Sequence, residues 1–202
     1  MLYQAKLSPK EESLLARCIG EDLAAVRGDR CSAELQTASG TVFVRPEEVA
    51  TPDEEHQVAD VDRISVEKTT ATVYQRIPPL VIEELGPVDE INVISVLVSF
   101  SPPRPGGPIA LPGGGVIPAG LDYGLFYYPP TIERRALRDL ARSAAVVDVD
   151  VACEVLTANR PPIVLYTPVC GHFVHVSDSG LPESENWVRL KEFTRRRLRR
   201  EA

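Results

Sequence analysis

Three carboxylates on one predicted strand are the first residues of this chain that could do chemistry. Asp148, Asp150 and Glu154 lie in a stretch where apolar and polar residues alternate, as in a half-buried strand. Carboxylates two residues apart point to the same face and can share a divalent cation, as in two-metal nucleases and phosphatases. The lysine that restriction-type nucleases carry near the second carboxylate is missing, because Val155 and Leu156 follow. A solvated strand face is the favoured interpretation, and a nuclease-like metal-dependent hydrolase is the alternative.

A thiol and two imidazoles form a second candidate group. Cys170, His172 and His175 lie within six residues. In an extended segment Cys170 and His172 point to one face, where they could form a nucleophilic pair or bind zinc together with Cys153. The segment has neither a helix N-terminus before the cysteine nor the close CxxC spacing of zinc sites. A buried cysteine beside two polar histidines is therefore favoured, and no metal or other cofactor is predicted.

A Pro/Gly-rich stretch at 101–130 suggests phosphate binding only at first sight. It contains eight prolines and seven glycines, including Gly113–Gly115. A P-loop needs Lys and Ser/Thr directly after its glycines, whereas Val116–Pro118 follow here, and Pro118 also disrupts a dinucleotide-binding helix. Since apolar and aromatic residues are interleaved with the glycines, the sequence predicts a long loop partly packed on the domain. Its aromatic residues are predicted to contact a partner: Phe126, Tyr127 and Tyr128.

Basic residues dominate the C-terminal end. From Trp187 to Ala202 the segment has a net charge of +5, while the whole chain has −7, so the preceding residues carry −12. Apolar residues at helical spacing predict an amphipathic helix over 182–200 with Trp187 on its apolar side. The predicted partner-binding arginines are Arg195, Arg196, Arg197, Arg199 and Arg200. Such a cluster suits an acidic protein partner, including a second copy of this chain, and nucleic acid is a further candidate.

The predicted fold class is α+β, in a single domain over 1–202. It combines a mainly antiparallel sheet of six to eight strands with three flanking helices at 9–27, 131–144 and 182–200. The first helix begins with a capping box, because Ser8 precedes Pro9 and Glu11 lies three residues after the cap. Ile91–Phe100 is apolar enough to be a central strand that is buried on both faces.

The sequence favours a non-enzymatic interaction or assembly protein. Its predicted contact surfaces are the Arg-rich C-terminal helix and the Pro/Gly-rich loop, and its predicted partner is another copy or a larger complex. The N-terminus has no apolar signal region, and the longest apolar run is about half the ~20 residues of a membrane span. A soluble, cytoplasmic protein without membrane contact is therefore expected.

Overall fold

Antiparallel β-sheet makes up most of the described chain, so the predicted α+β class with three flanking helices is wrong. The computed structural model describes residues 2–29, 31–51, 59–68, 80–101, 109–110, 116–117, 124–128, 135, 138, 145–158, 160–169, 172–179 and 194–200. Within these ranges eleven strands form one sheet, and two further short strands pair with each other. Two of the segments that overturn the prediction, Asp22–Gly28 and Thr194–Arg197, pair with β-strands instead of forming helices.

The elements follow in this order along the chain. They are β1 (Leu2–Ala5), α1 (Pro9–Ala16), β2 (Asp22–Gly28), β3 (Ala33–Thr37), β4 (Gly40–Thr51), β5 (Ala59–Lys68), β6 (Leu80–Ser101), β7 (Ile109–Ala110), β8 (Val116–Ile117), β9 (Gly124–Tyr128), β10 (Ala145–Thr157), β11 (Arg160–Tyr166), β12 (His175–Ser177) and β13 (Thr194–Arg197).

Strand β6 is the central strand of the sheet. One of its edges pairs with β10, and the other pairs in succession with β2, β13 and β9. Val is the commonest residue of both β6 and β10, β6 also contains Ile, and such β-branched residues suit strands that are covered on two faces. Val93 and Cys153 belong to the apolar cluster on one face, while Ile94 and Ala152 belong to the cluster on the other. The prediction that Ile91–Phe100 is a central strand is confirmed, and the side chains of Ile91–Val96 and Val98 are buried.

The remaining strands extend the sheet on both sides of β6 and β10. Beyond β2 the order continues through β3, β4 and β5, and beyond β10 it continues through β11 and β12. Strand β1 pairs in parallel with the first half of β10, so the N-terminal residues lie directly beside Asp148. The two ends of the chain are therefore held on opposite sides of the β6–β10 pair.

The predicted helix over 9–27 is correct only in its first eight residues. The capping box is present: the Ser8 side chain accepts from the Glu11 N–H, and the Glu11 carboxylate accepts from the Ser8 N–H. After Ala16 the chain turns, and β2 then pairs with β3 on one side and β6 on the other. The apolar spacing that suggested a helix instead supplies buried residues to a strand, because two-sided pairing in the sheet outweighs a weak local preference.

The predicted basic helix over 182–200 is wrong in the part that the structure describes. Thr194–Arg197 is strand β13, and residues 180–193, with Trp187, lie outside the described residues. These residues form main-chain hydrogen bonds with one edge of β6. The helical spacing of the residues does not indicate this long-range pairing. Of the predicted helix over 131–144, only Arg135 and Arg138 are described, and both are helical.

The Pro/Gly-rich stretch is described only in pieces. Ile109–Ala110 and Val116–Ile117 pair as a two-stranded hairpin, and Gly124–Tyr128 pairs with residues 97–101 of β6. Gly124–Tyr128 is strand β9. Gly113–Gly115 lie outside the described residues.

Candidate functional site

The Arg-rich end of the chain docks on the sheet as a strand. β13 pairs antiparallel with Asn92–Ser95 of β6, and Leu198 continues the contact by donating its N–H to the Ile91 carbonyl at 2.9 Å. The Leu198 side chain is 7% exposed and packs in the apolar core. Main-chain pairing therefore fixes the register, and one apolar side chain anchors the end of the strand.

Alternation along β13 sends its arginines to opposite faces of the sheet. Arg196 lies opposite Val93 and shares its face, whereas Arg195 and Arg197 lie on the other face. The Arg195 guanidinium is 3.2 Å from a Glu154 carboxylate oxygen, and that of Arg197 is 2.6 Å from one of Glu90. The acceptor edge is defined here as Glu90–Ser95 of β6 together with Asp150 and Glu154 of β10. Each arginine of β13 meets a carboxylate there.

The two following arginines differ from each other. Arg200 donates to the Ile19 carbonyl at 2.9 Å and lies 3.6 Å from Glu21. Arg199 is exposed and makes no ion pair with any residue in the described ranges. Four of the five predicted partner-binding arginines thus contact carboxylates of their own chain.

Asp150 is the most heavily bonded of these carboxylates, and it is fully buried. One oxygen accepts from the Ser95 hydroxyl at 2.6 Å and lies 3.2 Å from the Lys6 ammonium. The other accepts from the Leu7 N–H at 2.9 Å and from the Arg196 guanidinium at 2.7 Å. These contacts join the segment directly after β1, and strands β6 and β13, to Asp150 of β10.

The ionised form of Asp150 is favoured despite its burial. Burial alone would raise the pKa of this carboxyl. The hydrogen bond from Arg196, the charge of Lys6, and the hydrogen bonds from Ser95 and the Leu7 N–H together outweigh it and hold the pKa below its ordinary value. Asp150 is consequently a charged structural partner over the physiological range.

Two further side chains complete this group. The Lys6 ammonium also forms an ion pair with Asp148, and Arg196 donates through its Nε to Glu12 at 2.9 Å. The terminal cluster is defined here as the six residues Lys6, Glu12, Ser95, Asp148, Asp150 and Arg196. The sequence analysis missed Lys6, Glu12 and Ser95, because no spacing within the chain connects them to the carboxylates.

A bulge in β10 separates the three carboxylates that were predicted to share a face. Asp150 lies opposite Ser95, and Ala152 lies opposite Ile94, so Val151 is an extra residue in β10. Alternation is shifted there, which places Asp148 and Asp150 on one face and Glu154 on the other. Because each carboxylate contacts a basic side chain, the geometry gives the hydrolase alternative no support.

The predicted thiol–imidazole group is only partly described. Cys170 lies outside the described residues, while His172 has a left-handed backbone with φ of 49°. His172 binds the buried Asp62 twice, through its N–H at 2.9 Å and its Nδ1 at 2.9 Å. The His175 ring stacks on Tyr166 with a centroid distance of 4.7 Å. The two histidines therefore have different partners, and Asp62 is a residue that the sequence analysis missed.

The described thiols are of two kinds. Burial raises the pKa of Cys18 to about 11 and that of Cys153 to about 12, which keeps both protonated near neutral pH. Cys31 is exposed. Across the described ranges, no group of three or more His, Cys, Asp or Glu side chains is arranged to hold a metal ion.

The other predicted contact residues lie beside β13. Phe126, Tyr127 and Tyr128 belong to β9, which pairs with the same edge of β6 directly after the β13 segment. Both predicted contact elements thus occupy consecutive stretches of one sheet edge. Among the described residues, no helix has the length and apolar character needed to cross a membrane.

Comparison with known proteins identifies no relative. No family model matches the chain, and no curated protein or solved structure shows significant similarity to it. Function must therefore be argued from the docking of β13 and the terminal cluster alone.

Proposed function

We propose that this chain is a non-enzymatic interaction protein whose acceptor edge binds an Arg-rich extended segment. The observation that carries the proposal is the contact between β13 and β6. It is strand addition, a mode of peptide recognition in which main-chain hydrogen bonds supply affinity and alternate side chains supply specificity.

Charge complementarity supports the same conclusion. Carboxylates on both faces of the sheet receive alternate arginines: Asp150 and Glu12 bind Arg196, while Glu154 binds Arg195. A segment that is merely basic would not satisfy both faces, because the register fixes which arginine meets which carboxylate. The apolar position of Leu198 adds a third requirement to the recognised pattern.

Peptide binding tests the proposal. A labelled peptide with the sequence of Thr194–Arg200 is titrated with the full-length protein at physiological salt and followed by fluorescence anisotropy. A peptide of the same composition in scrambled order carries the same charge and serves as control. We expect the native order to bind at least about tenfold more tightly, a difference of about 1.4 kcal/mol. Equal binding of the two peptides, or no binding, would overturn the proposal.

The chain's own strand competes with the peptide and must be taken into account. Arg197→Ala weakens that strand while the acceptor edge stays intact, so the peptide should bind this variant a few-fold more tightly than wild type. The expected size follows from an exposed ion pair, which contributes up to about 1 kcal/mol. Arg199→Ala is the matched control, since the exposed Arg199 forms no described ion pair, and it should leave the peptide affinity unchanged.

A further inference from the structure

We infer that the partner of the acceptor edge is the C-terminal strand of a second copy, exchanged reciprocally between two molecules. This inference rests on the proposed function and names the partner of the same site. The recognised pattern is narrow: three successive arginines that meet carboxylates on alternating faces, followed by one buried leucine. Every copy of the chain carries both this strand and the edge that receives it.

The connection between β12 and β13 is long enough for exchange. Fourteen residues, 180–193, separate Ser179 from Thr194. An extended chain covers about 3.3–3.6 Å per residue, so this connection can bridge up to about 50 Å. That distance exceeds the diameter of a small domain, which is about 30 Å. A strand can therefore reach the acceptor edge of an adjacent molecule.

The contacts permit exchange without loss of contact energy, because they are the same within one chain and between two chains. The ion pairs of Arg195, Arg196 and Arg197 and the burial of Leu198 are all kept when the strand comes from another copy. Exchange of an identical element between protomers is consequently a low-cost route to dimers. The dimer should form with increasing concentration, in competition with the tethered strand.

Disulfide trapping distinguishes a strand from the same chain from one of a second copy. Asn92 and Arg197 are direct partners across β6 and β13. Facing residues of antiparallel strands have Cα atoms about 4.5–5.5 Å apart, within the range that a disulfide bridges. Two full-length variants, Asn92→Cys and Arg197→Cys, are prepared in a Cys31→Ser background, mixed, incubated at high concentration and oxidised.

The result expected is a covalent heterodimer in the mixture, with the linkage between positions 92 and 197 identified by mass spectrometry of the peptides. A chain that carries both cysteines is the control for folding and geometry, since it must form the linkage in any case. If this control forms the linkage and the mixture yields no heterodimer, the exchange inference is wrong.

The outcome can be separated from failure of the proposed function. If the Thr194–Arg200 peptide binds in sequence order and the mixed variants do not cross-link, the acceptor edge binds strands, but a second copy does not supply them. If the peptide does not bind either, both statements fail. A cross-linked heterodimer together with ordered peptide binding supports both.

Discussion

Two buried carboxylates, Glu11 in α1 and Asp150 in β10, are both kept ionised by hydrogen bonds, but their partners come from different parts of the chain. Both are nearly inaccessible to water, and both have a pKa below the ordinary value although burial acts to raise it. Glu11 accepts hydrogen bonds from the backbone and side chain of Ser8, from the Val66 N–H and from Arg63. In each case the hydrogen bonds to the ionised form outweigh the cost of burial.

The difference lies in where the partners come from. Ser8 is three residues from Glu11, so two of the hydrogen bonds to the Glu11 carboxylate belong to a local motif, the capping box. The partners of Asp150 come from the segment directly after β1, from β6 and from β13, and Arg196 is 46 residues away. Glu11 therefore fixes the start of one helix and its contact with β5, whereas Asp150 fixes how distant strands come together.

Substitution of Asp150 should have the largest effect on stability. Asp150→Asn removes the charge that binds Lys6 and Arg196 and leaves two cations beside a buried amide. Removing one partner of a buried ion pair costs about 3–5 kcal/mol when the other charge is left unpaired. Because Lys6 keeps Asp148 and Arg196 keeps Glu12, we expect a loss at the lower end of that range, about 3 kcal/mol. Urea unfolding at neutral pH measures this loss, and Asp148→Asn, at a position with a third of its side chain exposed, serves as control. If the two variants lose equal stability, the buried Asp150 does not contribute more to the free energy of unfolding than the partly exposed Asp148.

Substitution of Glu11 should have a smaller effect. Glu11→Gln keeps the size of the side chain and part of the capping box but removes the charge that faces Arg63. We expect a loss of about 1–2 kcal/mol in the free energy of unfolding, in the range of a lost cap or a charge-assisted hydrogen bond. The same urea experiment measures it. A loss as large as that of Asp150→Asn would contradict the expectation that a carboxylate with distant partners contributes more stability than one whose partners are partly local.

Acid should erode both contributions. The ordinary pKa values are 3.8 for Asp150 and 4.5 for Glu11, and both are lowered in the folded state. The unfolded chain therefore binds more protons near these values, so the stabilisation is complete above them and is lost as the pH falls through the lower folded values. The difference in unfolding free energy between wild type and Asp150→Asn should narrow below about pH 4. A difference that stays constant down to pH 2 would contradict this assignment.

The exposed pair of Glu90 and Arg197 should contribute least. Glu90→Gln removes a contact whose arginine is 65% exposed, so the expected loss is about 0.2–1 kcal/mol and should shrink in high salt. Thermal unfolding at low and high salt measures it. A loss above that of Glu11→Gln would show that the acceptor edge stabilises the chain mainly through its surface charges.

Sequence reasoning succeeded where neighbouring residues decide the outcome. The capping box of α1 and the buried strand over 91–100 were both predicted. It failed for Asp22–Arg27 and Thr194–Arg197, two segments that were predicted to be helical and that form strands. Each of these segments pairs with the same strand, β6. The spacing of apolar residues within a segment does not indicate that a distant strand is available for pairing.

The candidate site shows the same division. Asp150 and Arg196 were both singled out, but as members of unrelated groups, a metal site and a partner surface. Their 2.7 Å contact joins the two. Nothing in the spacing of the residues predicts that contact, because it depends on β13 docking beside the β6–β10 pair.

Three features follow from the order of the residues alone: which segments are apolar enough to be buried strands, where α1 begins, and that an acidic body is followed by a basic end. The tertiary structure alone decided that the basic end is a strand, that a bulge at Val151 turns Glu154 away from Asp150, and that Lys6 and Arg196 meet one carboxylate. The physical reason is range. Capping and strand preference act over a few residues, whereas sheet pairing and buried ion pairs join residues whose separation along the chain carries no information.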